Sequence, residues 1–141
     1  AACRHPHILY LIGTVTLQGK TVLVTERSAC SVEEILDEVS NSLDTAVRIM
    51  YQISTALAYL HDLGICHGAI EARSVLLMQR VFSEPIAKLS EFSECRSKTS
   101  LFRKDLVDFA ALLELLTVSR GPAGTSDTRP RRRPSARAWW P

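Results

Sequence analysis

The sequence predicts an α+β protein that is mainly α. Three observations carry this expectation. Residues 44–63 repeat apolar side chains at helical spacing, residues 105–117 form a second and still more apolar helical stretch, and two pairs of short β-rich runs flank the first of these.

Residues 8–15 are aliphatic and β-branched and run into Leu17, Gln18, Gly19 and Lys20, after which residues 21–25 are β-rich again, so a β-hairpin is expected. Ser31 followed three residues later by Glu34 has the form of a capping box, and a short helix over residues 33–39 should follow it. In the long helix Ile49, Ile53, Leu57 and Leu60 share one face while Arg48, Gln52 and Thr55 occupy another, and Gly64 is placed to stop it. Residues 75–78 and 86–89 are β-rich runs separated by Ser83, Glu84 and Pro85, which predicts a second small hairpin. The last helix carries Leu106, Phe109, Leu112, Leu113 and Leu116, a pattern too apolar for more than a narrow exposed stripe, so it is expected at the centre of the core.

With 141 residues and 46% hydrophobic composition, the chain has the size of one domain, assigned to residues 1–120. Residues 121–141 are dominated by Pro, Gly, Ser, Thr and Arg and should form a disordered tail, because that composition buries too little surface to offset its ordering entropy. The tail holds five Arg and one Asp, leaving 12 basic and 14 acidic residues in the rest, so the net charge of +2 belongs to the tail and no nucleic-acid partner is expected. No run of about 18 apolar residues appears, and the start of the chain lacks the features of a signal peptide. No transmembrane segment is therefore expected, and the location should be cytoplasmic. Cys3, Cys30, Cys66 and Cys95 are widely spaced, which suits reduced thiols rather than a disulfide framework or a zinc site. His5 and His7 around Pro6 read as a surface turn, and Cys66 beside Ile65 as a buried, inert thiol.

Between the long helix and the second β-pair lies His67-Gly68-Ala69-Ile70-Glu71-Ala72-Arg73-Ser74-Val75-Leu76-Leu77. This segment resembles, without a gap, the protein-kinase catalytic loop H-R-D-L-x-x-x-N and the apolar residues after it. Further on, Ala87-Lys88-Leu89-Ser90-Glu91-Phe92-Ser93 resembles the family strand that leads into D-F-G. Residues 4–9 resemble the turn entering the family's fourth strand, Val24-Thr25-Glu26 the end of its fifth strand, and residues 105–117 its F helix. The Ala72-Arg73 pair is similar to the tyrosine-kinase and tyrosine-kinase-like branch. The likeness spans about residues 3–117, making the chain a protein-kinase-like large-lobe fragment with two short β-hairpins, running from the fourth strand to the F helix. The family's Gly-rich loop, its β3 Lys and that Lys's Glu partner fall outside the matched residues.

Set against the family's pattern, the positions of chemistry are degraded. Ala69 stands where the catalytic carboxylate should orient the attacking hydroxyl, and Gly68 stands for the Arg before it. Ser74 replaces the metal-binding Asn, Glu91 replaces the Asp of D-F-G, and Ser93 replaces its Gly. The positions of architecture persist: His67 and Phe92 look like lower members of the regulatory spine, Leu76, Leu112 and Leu116 match apolar positions in or around the catalytic spine, and Asp105 resembles the F-helix Asp that ties down the catalytic loop.

The resemblance thus implies a pseudokinase, a non-catalytic interaction or regulatory module whose partner is a protein, another kinase among the candidates, with its oligomeric state left open. No catalytic residue, metal ion or cofactor is expected. The alternative is a divergent or truncated kinase that still binds ATP and Mg²⁺, using Thr25, Glu26 and Arg27 as the nucleotide hinge and Glu91 as the remaining metal ligand.

Overall fold

The computed structural model describes residues 4–97 and 101–118. The expected tail, residues 121–141, and Cys3 lie outside them. In chain order the elements are β1 (Leu11–Leu17), β2 (Lys20–Thr25), β3 (Cys30–Ser31), α1 (Leu36–Ser40), α2 (Leu43–Asp62), β4 (Val75–Leu77), β5 (Ala87–Leu89) and α3 (Phe102–Thr117). Single 3-10 turns occupy Glu33–Ile35, Ala72–Ser74 and Phe92–Glu94.

The centre of the molecule is α2. Ser42 caps it by accepting the Thr45 amide at 3.3 Å, and Asp44 sits in the first turn, where a negative charge complements the helix dipole. Its stop is a Schellman motif: the Gly64 amide reaches His61 O at 2.9 Å and the Ile65 amide reaches Leu60 O at 2.9 Å, with Gly64 at φ +75°. The expected stripe of Ile49, Ile53, Leu57 and Leu60 is buried, joined by Ala46, Met50 and Ala56. Each fully buried aliphatic side chain of this kind contributes about 1.5–3 kcal/mol. The other face is not simply solvated, because the Gln52 amide donates to Pro85 O and accepts from Ala87 N, both at 2.7 Å, tying the β4–β5 connection to the helix.

The second β-pair is antiparallel, with Val75 opposite Leu89 and Leu77 opposite Ala87. It is not a lone hairpin. Cys30 and Ser31 pair with Leu77 and Leu76 and complete a three-stranded sheet in the order β3-β4-β5, a strand too short to leave a periodic signal. Ser31 and Glu34 form the expected reciprocal pair, the Glu34 amide donating to Ser31 Oγ at 3.3 Å, but the chain first makes a 3-10 turn and only then enters α1. The His5-Pro6-His7 turn leads Ile8 into a parallel bridge with Leu89, and one His7 ring nitrogen lies 2.9 Å from Ala87 O, so this turn is docked on β5.

β1 and β2 form the expected hairpin, and Gln18 (φ 50°) and Gly19 (φ 75°) provide the two left-handed residues of its tight turn. The hairpin stands off the core with nearly every residue exposed, Leu23 at 64% and Ile12 at 61%. It is tied back through Glu26, whose carboxylate accepts from the Tyr10 amide at 2.7 Å and from Lys88 Nζ at 2.6 Å.

The expectation for the last helix is corrected. α3 forms, but it is peripheral: only Asp105, Leu112 and Leu116 are buried, while Leu106 is 57% and Val107 60% exposed. Apolar periodicity reports that a face wants a partner; it does not place that partner within the same chain segment.

Candidate functional site

The Schellman turn at Gly64 delivers the chain into Cys66, which bridges Arg96 through amide–carbonyl bonds of 2.9 and 3.1 Å. Cys66 is fully buried, and its Sγ donates to Arg96 O at 3.1 Å. His67 follows with no exposed surface. Its Nε2 lies 2.8 Å from Ser90 O, a pure acceptor, so Nε2 carries the proton; Nδ1 is then free to accept the Ala69 amide at 3.3 Å. Both contacts suit a neutral imidazole, and burial lowers its pKa, against the smaller opposing effects of the Ser90 carbonyl and the Asp105 and Glu91 charges. The ring also meets Phe92 edge-on, with centroids 4.9 Å apart.

From α3, Asp105 reaches beneath this loop. One carboxylate oxygen accepts the Gly68 amide at 2.7 Å, and the other accepts the His67 amide at 2.8 Å and lies 2.9 Å from His61 Nε2. Asp105 is wholly buried, and its lone pairs are spent on positioning backbone. Lys104 next to it donates to the Gly68 carbonyl and pairs with Asp108. Gly68 has φ +86°, and a Cβ there would sit 2.8 Å from the backbone oxygen of Glu94. The backbone therefore requires glycine at the position where the motif has Arg.

The positions at which the sequence departs from the kinase motif have different surroundings. Ala69 presents only a methyl group, half-buried. Ser74 is fully buried and turned inward: its hydroxyl donates to Glu71 O at 2.8 Å and accepts the Glu71 amide at 3.0 Å, while its carbonyl accepts the Ser90 amide and hydroxyl. Glu91 lies at φ +61° with an exposed side chain whose Oε2 is 3.5 Å from Arg73 Nε. Arg73 also grips Glu71, with Nη2 2.6 Å from Oε1. Ser93 is exposed in the 3-10 turn after Glu91.

Of the remaining predicted positions, Leu76 is half-buried on β4, while Leu112 and Leu116 are buried on α3. The expected hinge trio, Thr25, Glu26 and Arg27, lies at the end of β2 and just beyond it. Thr25 and Arg27 are exposed, and Glu26 is half-buried in its pair with Lys88. Burial alone would raise the Glu26 pKa, but the hydrogen bonds from Lys88 and the Tyr10 amide, with the Lys88 charge, outweigh it and hold the carboxyl below its usual range. Among the described residues, no three His, Cys, Asp or Glu side chains gather as a metal-ligand set.

Sequence reasoning did not single out His61, Glu71, Lys88 or Lys104, nor the bridging role of Arg73. The Glu71-x-Arg73 spacing and the His in the last turn of α2 were the signals present.

A catalytic-loop backbone pinned by a buried Asp from a following helix, with a buried His packed on the Phe after a β-strand, defines a protein-kinase type of scaffold. The chain belongs to the protein kinase superfamily: the family model for protein tyrosine and serine/threonine kinases matches residues 1–105. It is 35% identical over 96 residues to the serine/threonine-protein kinase csk1 of Schizosaccharomyces pombe, a match covering 67% of this chain and 30% of that protein. The serine/threonine-protein kinase dkf-1 of Caenorhabditis elegans is 32% identical over 113 residues, covering 77% of this chain and 16% of that protein. Protein GFS12 of Arabidopsis thaliana is 30% identical over 83 residues, covering 57% of this chain and 5% of that protein. The chain spans less than a third of the length of each of these relatives. No described helix is long and apolar enough to cross a membrane.

Proposed function

We propose that this chain is a pseudokinase module that acts by docking a protein partner, in the cytoplasm, and does not transfer phosphate. The observation that carries the reading is the contrast inside one loop. Its backbone is held by Asp105 at 2.7 and 2.8 Å, yet position 69 offers a methyl group where proton acceptance needs a carboxylate.

The donor set also fits poorly to ATP with Mg²⁺. Magnesium demands near-octahedral oxygen ligation at about 2.0–2.1 Å. Ser74 has spent its hydroxyl on Glu71 backbone, and the Glu91 carboxylate faces Arg73. Because positioning and oriented charge supply nearly all the catalysis of phosphoryl transfer, a site without base or convergent ligands has little to accelerate with. The exposed apolar residues of α3 and of the β1–β2 hairpin support a docking role, since unpartnered apolar faces mark interaction surfaces. A protein partner, another kinase among the candidates, would cover them.

The alternative, a divergent kinase retaining ATP, rests on Glu91, which keeps a carboxylate near the surface. An assay of labelled γ-phosphate transfer to the chain itself and to a generic protein substrate separates the two. The expected result is transfer no greater than the protein-free blank. Transfer that disappears in Glu91→Gln would replace this reading with the alternative.

A further inference from the structure

Resting on the inactive reading and deepening it, we propose that Arg73 is a built-in counter-ion that takes the place of a divalent metal between Glu71 and Glu91. Those two carboxylates come from separate segments, the catalytic loop and the end of β5, and they converge on a single atom. Arg73 Nε lies 2.7 Å from Glu71 Oε1 and 3.5 Å from Glu91 Oε2, while Nη2 is 2.6 Å from the same Glu71 oxygen. Two carboxylates held this close repel each other unless a cation stands between them.

A guanidinium suits the position. It stays charged at any physiological pH, and its Nε donates to Glu71 while its delocalised charge also faces the Glu91 carboxylate. The hydrogen bond that Arg73 donates to Glu71, then the charges of Glu71 and Glu91, favour the charged form further. Among the described residues Lys104 is a second cation on which the Glu71 charge acts, but its ammonium is hydrogen-bonded to Asp108 and the Gly68 carbonyl. His67, the neighbouring imidazole, is buried, which lowers its pKa, and Asp105 is committed to amides and His61. Ser74 offers no third oxygen. The Arg73 side chain is 57% exposed, so the bridge is weak as a source of stability and acts by occupying the space and cancelling charge.

The test is Mn²⁺ titration of the full chain, followed by electron paramagnetic resonance of free Mn²⁺ and competition with Mg²⁺. Wild type and Arg73→Lys, which keeps the charge, should show no saturable binding. Arg73→Gln should gain saturable Mn²⁺ binding, at least about tenfold tighter than the weakest binding the titration detects, as expected from removing one positive charge beside a divalent ion. That gain should vanish in the double variant Arg73→Gln with Glu91→Gln. Arg73→Met serves the same purpose if the glutamine variant lacks a cooperative thermal transition. A neutral variant that binds Mn²⁺ no better than wild type overturns this inference and leaves the inactive reading standing. Saturable Mn²⁺ binding by wild type overturns it as well, whereas phosphate transfer by wild type sinks the inactive reading itself.

Discussion

The Asp105 carboxylate accepts the Gly68 amide at 2.7 Å across 37 positions of sequence, and this one bond joins the last helix to the loop where the motif's chemistry would reside. The neighbouring His67 amide and His61 ring complete the arrangement, leaving none of the charge on Asp105 exposed. Truncation to Asp105→Ala leaves two amides unpaired inside the protein. The expected cost is about 3–5 kcal/mol in urea unfolding, as for other broken buried charge contacts. Asp105→Asn, which keeps one acceptor oxygen, should lose less. A loss within about 0.5 kcal/mol for the alanine variant would mean the anchor is dispensable.

Two glycines with positive φ should respond differently to a methyl group. Gly64, at φ +75°, has no atom within 4 Å of the place a Cβ would take, so Gly64→Ala should cost only the left-handed penalty, about 1 kcal/mol. Gly68→Ala meets that penalty and a contact of 2.8 Å with Glu94 backbone, and the rigid partner must move. Its unfolding midpoint in urea should fall further than that of Gly64→Ala, and equal midpoints would contradict the assigned packing.

Acid should act on stability through two windows. Burial lowers the His67 pKa, so as pH falls below about 6.5 the unfolded chain takes up a proton that the folded chain resists, and stability declines. His5, lowered first by burial and then by His7, adds a slope of the same sign. His67→Gln should therefore flatten the dependence below about pH 6.5 without abolishing it. Glu26 acts in a lower window: its stabilisation is present above the usual carboxylate range and is lost as acid protonates it below about pH 4.3. Glu26→Gln should flatten only that lower window. Stability curves from urea unfolding at stepped pH would check both.

The two sides of α3 should separate cleanly. Leu112→Ala removes a side chain only 3% exposed and should cost about 2–5 kcal/mol. Leu106→Gln, at a site 57% exposed, should change stability by no more than about 0.5 kcal/mol. If both were equally costly by thermal unfolding, the peripheral placement of the helix would be wrong.

The local elements were legible because each carries its own signal. Gly64 ends α2 with its capping chemistry, while the Ser42 cap at its start was not read, and Gln18-Gly19 turns the hairpin. Asp105 was legible as an anchor only through resemblance, since nothing local in the helix explains a buried carboxylate. The two-residue strand Cys30–Ser31 escaped notice because it is defined by its partners Leu76 and Leu77. The burial of α3 was overestimated for a related reason: its apolar residues report demand for contact, while supply depends on what packs against them. At the site, the identity of Ala69 spoke for itself. The inward turn of Ser74 and the bridging of Glu71 and Glu91 by Arg73 depend on loop geometry that residue types do not encode.

The most direct measurement is thermal unfolding of the full chain with and without ATP and Mg²⁺, because a ligand that binds only the folded state raises the midpoint by linkage. The account predicts one cooperative transition whose midpoint nucleotide leaves in place. A saturable upward shift, lost in Glu91→Gln, would contradict it and restore a functioning nucleotide site.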